Sequence, residues 1–267
     1  MNIGIIGYGV VGKAASLTFE KRYNVLKYDK YQDLDAFEDL ISSDFIFIMV
    51  PTPFDCKLNC VDLSAVEESL DKLQKLQYKN IVIIKSTIPP GTCSNFSRNY
   101  EFEIVFNPEF LRESTTPNED FAEQDNIVIG TDKISTFTSV KEMYKKVAVP
   151  EASYYHTSHT DAEMIKLAQN TMLASRVALA NIIFDACEKF HVDYKLLKEI
   201  AFDNFEIIGP HMCIVPGPDG KRGFGGKCLP KDIRAFSTIH KSDLIQALIE
   251  YNDSLRDDLD TVLYNFE

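Results

Sequence analysis

One cysteine lies in a sequence context that favours a reactive thiol. Cys228 follows the run Gly223-Phe224-Gly225-Gly226 and precedes Lys231 and Asp232. This pattern predicts a loop that places Cys228 at the N-terminal end of a helix, with Lys231 and Asp232 about one turn further on. A helix N-terminus and nearby ammonium groups both stabilise the thiolate, which is the nucleophilic form of cysteine. We therefore predict that Cys228 has a functional role and is not a buried structural thiol.

Two further polar segments follow predicted strands, at the edge where parallel strands form a ligand crevice. They are KSTIPPGT at 85–92 and NPEFLRES at 107–114. Later in the chain, Lys166 and Asn170 are four residues apart and share one face of a predicted helix. From that face both could donate hydrogen bonds to a single oxygen. A solvated helix face is the alternative interpretation of this pair.

A glycine motif near the N-terminus has the context of a dinucleotide-binding loop, because it follows an apolar run and opens a helical pattern. The motif consists of Gly7, Tyr8, Gly9, Val10, Val11 and Gly12. Asp29 ends the next predicted strand, where a carboxylate accepts hydrogen bonds from both ribose hydroxyls and repels a 2′-phosphate. We predict NAD rather than NADP as the cofactor, although the positive charges of Lys27 and Lys30 nearby leave NADP open. Thr52, after the third strand, could line the cofactor site or belong to a proline-rigidified loop.

The elements that must position these residues alternate between short apolar runs and helical patterns. The predicted strands are 2–6, 24–28, 45–50, 81–85, 103–106 and 126–129, with a brief strand at 153–156. This alternation predicts an α/β fold with a Rossmann-type, doubly wound parallel sheet. Beyond it the pattern is almost continuously helical. We predict an NAD-binding domain over 1–157, followed over 158–267 by a long connecting helix and a small all-helical dimerisation domain.

The long helix is predicted over 161–190, opened by a capping box of Thr160 and Glu163. Its apolar residues recur at helical spacing: Ile165, Ala168, Met172, Leu179, Ile182, Ala186 and Phe190. The later helices have apolar positions of their own to bury. We therefore expect this stripe to pack against a second copy of the chain in a homodimer.

The composition excludes several classes of partner. The 267 residues include 28 Lys and Arg against 40 Asp and Glu, for a formal net charge of −12. This charge argues against binding to nucleic acid or to an anionic membrane. No apolar stretch reaches the length of a membrane span, and the N-terminus does not resemble a signal peptide. The six scattered cysteines lack metal-ligand spacing. We expect no bound metal, reduced thiols and a cytoplasmic location.

Taken together, the motifs resemble those of the nucleotide-sugar dehydrogenases, the UDP-glucose and GDP-mannose 6-dehydrogenases. They are GYGVVG, PTP, KSTIPPGT, NPEFLRES, EMIKLAQN and GFGGKCLPKD, in the family's order and spread over almost the whole sequence. The resemblance implies oxidation of the primary alcohol of a nucleotide sugar to a carboxylate with two NAD. The reaction would pass through a cysteine thiohemiacetal and thioester.

The resemblance also implies a role for each matching residue. Cys228 is the nucleophile, Lys166 and Asn170 stabilise the substrate oxyanion, Asp232 and Thr87 hold a water, and Glu113 is the general base for thioester hydrolysis. The cofactor set is Gly7, Tyr8, Gly9, Val10, Val11, Gly12, Asp29, Thr52, Thr87 and Lys231. The substrate set is Glu109, Phe110, Leu111, Lys166, Asn170, Phe224 and Gly225.

The sequence departs from the family pattern in two places. Family members usually continue into a C-terminal domain that holds the nucleotide. The chain is therefore expected to be a short form, to bind the nucleotide differently, or to act on a substrate that is not a nucleotide sugar. The family's Arg-Ile-Gly corresponds here to Ile207-Ile208-Gly209. Lys221, Arg222 and Lys227 could compensate by holding a phosphate or carboxylate, or could be ordinary solvated side chains.

Two other functions remain open from the sequence. The first is a two-electron dehydrogenase of the 3-hydroxyacid or 6-phosphogluconate type, whose members share the lysine-asparagine pair on the interdomain helix. The second is a catalytically silent NAD-binding assembly module. Cys228 and the 107–114 segment favour the four-electron enzyme, because a single hydride transfer requires neither.

Overall fold

The computed structural model describes residues 1–112, 116–204, 215–239 and 241–256. The chain forms two compact units. The first comprises Met1–Thr52 and Asp62–Lys166, and the second comprises Pro53–Val61 and Leu167–Glu267. The division therefore falls inside a long helix, and a short segment of the N-terminal half belongs to the second unit.

The strands follow the apolar runs of the sequence. They are β1 (Asn2–Ile6), β2 (Asn24–Tyr28), β3 (Phe45–Ile48), β4 (Phe54–Asp55), β5 (Cys60–Val61), β6 (Ile81–Ile84), β7 (Glu103–Phe106), β8 (Asn126–Gly130) and β9 (Ser153–Thr157). In the first unit, a seven-stranded sheet has the order β2-β1-β3-β6-β7-β8-β9. The predicted α/β fold is confirmed. Because the chain crosses from one side of β1 to the other between β2 and β3, a ligand crevice is expected at the C-terminal ends of β1 and β3.

The strands are apolar throughout because both faces of the sheet are covered. Successive residues of β3 alternate between the two cores: Ile46 and Ile48 lie in one, and Phe45 and Phe47 in the other. The same alternation occurs in β6, where Val82 and Ile84 lie in the first core and Ile83 lies in the second. A continuous apolar run is therefore the expected sequence of such a strand.

One strand pair differs from the predicted parallel sheet. β7 and β8 are antiparallel, whereas the other neighbouring pairs of the sheet are parallel. Their register consists of a single pair, Phe106 with Gly130. In its described residues, the connection after β7 contains one short helix of six residues, which packs on α1 (Val10–Phe19) and does not form a full crossover along the sheet. A parallel neighbour requires such a crossover.

The helices lie on both faces of the sheet, and in the second unit they form most of the structure. They are α1 (Val10–Phe19), α2 (Ser64–Lys75), α3 (Thr92–Asn99), α4 (Pro117–Ala122), α5 (Ile134–Tyr144), α6 (His159–Phe190), α7 (Tyr194–Lys198), α8 (Leu229–Ile239) and α9 (Asp243–Leu255). One core includes side chains of α2 and α3, and the other includes side chains of α1, α4 and α5. The sheet is therefore wound on both sides.

The second unit has a small core and includes one element that the sequence did not predict. Its core is formed by Ala174, Ala178, Phe224, Ile233, Leu248 and Ile249. The β4–β5 hairpin also belongs to this unit, where Phe54 packs against Leu167 and Ala235. The expected all-helical unit therefore contains a two-stranded hairpin as well.

The long helix is confirmed, but its predicted capping box is wrong. Helix α6 begins at His159, and its first turn is capped by Ser158, which accepts hydrogen bonds at its carbonyl and its hydroxyl. Glu163 points elsewhere: its carboxylate accepts from Gly91 N at 2.5 Å and from Cys93 N at 2.7 Å. Glu163 therefore satisfies the backbone donors at the start of α3. The local spacing could not reveal a partner about 70 residues away.

The predicted apolar stripe of α6 is exposed. Met172 is 64% exposed, Leu179 53% and Phe190 72%. The buried positions of the same helix are mostly small residues, such as Ala174 and Ala178. Hence the stripe is not covered by the described helices of its own chain. None of the described helices combines the length and apolar character that a membrane crossing requires.

Candidate active site

The glycine motif forms a tight turn between β1 and α1. Gly7 has φ of +94°, and a Cβ at Gly12 would lie 2.1 Å from the Gly7 carbonyl oxygen. A Cβ at Gly9 would meet no atom within 4 Å. Within the described residues, no side chain caps α1, which begins directly after Gly9. Open space before an uncapped helix N-terminus fits a bound pyrophosphate.

Asp29 is fixed beside this turn. Its Oδ2 accepts from Tyr8 N at 2.8 Å, and its Oδ1 accepts from Tyr31 N at 2.9 Å. A carboxylate has about four acceptor positions, so two remain for ribose hydroxyls. The neighbouring lysines pair with glutamates: Lys27 with Glu20 at 2.5 Å and Lys30 with Glu68 at 2.9 Å. Both ammonium groups therefore already have a carboxylate partner, which favours NAD over NADP.

Thr52 and Thr87 lie together after β3 and β6. The Thr52 hydroxyl is buried and donates to the Thr87 carbonyl at 2.7 Å. This bond ties together two loops that follow adjacent strands. The bond gives Thr52 a structural role. It involves the Thr87 carbonyl and not the Thr87 hydroxyl.

The NPEFLRES segment, together with the end of β6, forms a buried charged cluster. Lys85, whose side chain is 0% exposed, has its Nζ 3.0 Å from Glu109 Oε2 and donates to Asn107 Oδ1 at 2.8 Å. Burial lowers the pKa of Lys85, and the Glu109 carboxylate opposes this shift. Glu109 Oε1 accepts from the backbone of Phe110 at 2.9 Å and of Leu111 at 3.1 Å. The predicted substrate residues Glu109, Phe110 and Leu111 are therefore held in one turn.

Lys166 belongs to the same cluster. Its buried ammonium donates to the Glu109 carbonyl and lies 5.4 Å from the centre of the Phe110 ring. Asn170, the other predicted donor, bonds a different residue, the carboxylate of Asp232. That both side chains donate to one substrate oxygen stays a prediction. Buried donors require partners, and each of these side chains has one within its own compact unit.

In the second unit, Cys228 lies at the predicted helix start. Helix α8 begins at Leu229, and the Cys228 carbonyl accepts from Asp232 N at 2.8 Å. Cys228 therefore occupies the N-cap position, and it is an exposed thiol. This position stabilises a thiolate through the helix dipole.

Asp232 is the most buried of the predicted catalytic residues, at 0% exposure. Its Oδ2 accepts from the Asn170 side chain, and its Oδ1 lies 2.9 Å from Lys231 Nζ. The Lys231 charge is therefore directed at Asp232. The arrangement joins Asn170 of α6 to Lys231 and Asp232, which lie within about one turn of Cys228.

The glycine-rich loop before Cys228 is clamped by buried side chains. Phe224 N donates to Asn252 Oδ1 at 2.6 Å, and Asn252 Nδ2 donates to the Phe224 carbonyl at 3.1 Å. Gly223 N donates to Asn181 Oδ1 at 3.2 Å. The Arg256 guanidinium donates to the Gly223 carbonyl at 3.4 Å and to Asp219 at 2.7 Å. The predicted substrate residue Phe224 is 2% exposed, so its side chain belongs to the core.

Other predicted residues fall outside this geometry. Glu113 and the segment Ile207-Ile208-Gly209 lie outside the described residues. Arg222 pairs with Asp185 at 2.5 Å, whereas Lys227 is exposed. In the described part of the chain, no group of His, Cys, Asp and Glu side chains could hold a metal ion.

The sequence analysis included Lys85 and Asn107 only as members of the two polar segments, without a role, and it missed Asn252 and Arg256. A sequence signal existed for Lys85, because a charged residue directly after a fully apolar strand is unusual unless it has a partner. No local signal identified Asn252, whose partner Phe224 is 28 residues away.

Comparison with known proteins decides the family. The NAD binding domain of the UDP-glucose/GDP-mannose dehydrogenase family matches residues 28–148, and the central domain of that family matches residues 160–254. The chain belongs to the UDP-glucose/GDP-mannose dehydrogenase family. The resemblance inferred from the motifs and the NAD prediction are thereby confirmed. The glycine motif precedes the matched region, so its assignment rests on the turn geometry.

Two curated relatives of the chain share the name UDP-glucose 6-dehydrogenase. The UDP-glucose 6-dehydrogenase of Rickettsia prowazekii is 33% identical over 244 residues, which are 85% of this chain and 54% of the relative. That of Rickettsia bellii is 36% identical over 219 residues, or 79% of this chain and 48% of the relative. The chain therefore spans about half the length of these relatives.

Solved structures agree on the fold. A UDP-glucose dehydrogenase from Pyrobaculum islandicum has a TM-score of 0.81 and 25% identity, over 95% of this chain and 68% of that chain. A 3-hydroxyisobutyrate dehydrogenase from Mycobacterium tuberculosis has a TM-score of 0.73 and 17% identity, over 99% of this chain and 96% of that chain. At this identity the second match supports the fold alone.

Proposed function

We propose that the chain carries out the NAD-dependent oxidation of the primary alcohol of a nucleotide sugar of the UDP-glucose type. The product is the carboxylate, formed in two oxidation steps. The supporting observation is the exposed Cys228 thiol at the N-terminal end of α8, one turn before buried Asp232. A two-electron reaction needs no such nucleophile.

Cys228 retains the substrate between the two steps. Its thiolate adds to the aldehyde carbon, and the carbonyl oxygen takes a proton to give a thiohemiacetal. The second oxidation converts this adduct to a thioester, which water cleaves to the carboxylate and the free thiol. The net reaction consumes the alcohol, two NAD⁺ and one water, and it yields the carboxylate, two NADH and three protons.

The remaining residues have supporting roles in this proposal. Lys166 and Asn170 stabilise negative charge on the reacting oxygen, and Asp232 and Thr87 hold a water for proton transfer. The carboxylate of Glu109, with the turn of Phe110 and Leu111, contacts the sugar. Glu113 serves as the base for thioester hydrolysis.

In this proposal the pyrophosphate and the adenosine ribose of the cofactor are held by residues of the first unit. The Gly7–Gly12 turn binds the pyrophosphate and Asp29 binds the adenosine ribose. NAD, when bound, accepts a hydride from the substrate carbon. Lys231 and Thr87 are the residues we propose for the nicotinamide region. We also propose a cytoplasmic location, which fits cysteines that form no disulfide in the described part of the chain.

Stoichiometry tests the proposal. Purified protein is incubated with NAD and either UDP-glucose or GDP-mannose, and the NADH formed is counted per substrate consumed. We expect two NADH and an acid product. Cys228→Ala should fail to complete the second oxidation, whereas Cys60→Ala, which removes another exposed thiol, should behave like the wild type.

Two other outcomes would refute this function. One NADH per substrate with an aldehyde or ketone product would indicate a two-electron dehydrogenase. The 3-hydroxyisobutyrate dehydrogenase, of whose chain 96% is covered, represents that class. NAD binding without turnover of any nucleotide sugar would indicate a silent NAD-binding module.

We further propose a homodimer formed through α6. The support is the apolar stripe that the described part of the chain leaves uncovered, including Met172, Leu179 and Phe190. Burying apolar surface contributes roughly 25 cal/mol per Å². Met172→Asp with Leu179→Asp should give a folded monomer in sedimentation, because both side chains are exposed within one chain. A wild type that sediments as a monomer at micromolar concentration would refute the dimer.

A further inference from the structure

Lys85 carries a fully buried positive charge to which the sequence analysis assigned no role. Its side chain is 0% exposed and lies at the C-terminal end of β6. Removing an ammonium from water costs several kcal/mol unless a partner compensates. The partner here is Glu109, 3.0 Å away, one of the residues proposed to contact the sugar.

Both oxygens of Glu109 are fixed by this arrangement. Oε1 accepts from two backbone N–H groups, those of Phe110 and Leu111, while Oε2 faces the Lys85 ammonium. The Glu109 side chain is 10% exposed, so it is the more exposed of the two charged side chains. A carboxylate buried to this extent without a countercharge would bind a proton more readily.

Lys85 is itself held rigidly. Asn107 Oδ1 accepts from Lys85 and also from the Tyr144 hydroxyl, at 2.6 Å, and Asn107 Nδ2 donates to the Val128 carbonyl at 2.7 Å. Among the described residues of this unit, two other titratable groups face the pair. Lys166 from α6 binds the Glu109 carbonyl, and buried Tyr144 comes from α5. The position of Lys85 is therefore set by Asn107, which follows β7 and is itself held by α5 and β8.

We propose that Lys85 is a positioning residue, whose charge compensates the buried Glu109 carboxylate and holds it in one orientation, so that its removal changes how the reaction depends on pH. This inference rests on the proposed function, in which Glu109 contacts the sugar. Lys85 acts through Glu109 and does not itself touch the substrate.

The first test is the pH profile of kcat/KM for NADH formation with UDP-glucose. In Lys85→Met, Glu109 loses its countercharge, so the acidic limb should shift to higher pH by one unit or more. On that limb kcat/KM should fall at least about tenfold, while the alkaline end approaches the wild type. Lys85→Arg should restore most of the acidic limb. Lys79→Met, which removes an exposed lysine paired with Glu101, should leave the profile unchanged.

The second test is the free energy of unfolding. Its loss in Lys85→Met should grow with pH, whereas the loss of kcat/KM should shrink with pH. In Lys85→Met the buried Glu109 carboxylate has no countercharge, so the loss of stability is small at low pH, where the carboxyl group can bind a proton, and grows as pH rises. Urea midpoints at several pH values measure this. Lys85→Met with Glu109→Gln removes both charges and should regain part of the lost midpoint.

Several results would overturn the proposal: an unchanged profile, an equal loss of kcat/KM at every pH, or a double variant no more stable than Lys85→Met. If Lys85→Met does not fold, a folded double variant supports the coupling and an unfolded one refutes it. A wild type inactive with every nucleotide sugar would refute the proposed function, and the urea measurements would still decide whether Lys85 and Glu109 are coupled.

Discussion

Replacing Asn252 by alanine should strongly destabilise the second unit. Asn252 is 0% exposed and makes both backbone hydrogen bonds of Phe224, at 2.6 and 3.1 Å. Asn252→Ala leaves the Phe224 N–H and C=O without these partners in a buried site. Each orphaned group costs about 1–3 kcal/mol, so the free energy of unfolding should fall by about 2–6 kcal/mol.

Urea denaturation followed by circular dichroism measures this loss. With an m-value of roughly 2 kcal/mol per M, the midpoint should fall by about 1–3 M. Hydrogen exchange gives a local readout, because the Phe224 amide should lose its protection. The matched control is Gln246→Ala on the same helix, whose exposed side chain bonds only Glu250 among the described residues. Its change should stay within about 0.5 kcal/mol.

A small effect would refute the reasoning. The free energy of unfolding of Asn252→Ala could lie within about 0.5 kcal/mol of the wild-type value, or the Phe224 amide could stay protected. Either result would mean that Asn252 does not hold the loop before Cys228 in place.

Two further predictions concern the first unit. Asp29→Ala should weaken NAD binding and narrow its advantage over NADP, because the ribose hydrogen bonds and the repulsion of a 2′-phosphate both disappear; titrations with each cofactor measure this, and equal use of both by the wild type would contradict it. Hydrogen bonds from Arg112 lower the pKa of Asp120 from 3.8 to about 2. The ionised carboxylate therefore contributes stability above pH 3.8 that is lost as pH falls towards 2. Asp120→Asn should lose less stability than the wild type over that interval in acid titrations of the urea midpoint, and identical acid profiles would contradict this.

The fold and part of the site could be predicted because their signals are local. A strand buried on both faces must be apolar at every position, as β3 and β6 are, so a run of apolar residues marks it. The glycine turn before α1 depends on residues six or fewer apart. The same holds for Cys228, whose glycine loop and following helix are adjacent in sequence.

Only the tertiary structure decided where polar side chains find their partners. Glu163 has the spacing of a local cap, yet it binds the start of α3, because the long helix passes beside that end. Lys85 reaches Glu109 across neighbouring strands, and Asn252 reaches Phe224 from another helix. Likewise, periodicity identified the stripe of α6 as apolar but could not say which face the chain itself covers. Periodicity reports which face a residue occupies, whereas the partner depends on which elements pack together, and that is set by contacts between residues far apart in sequence.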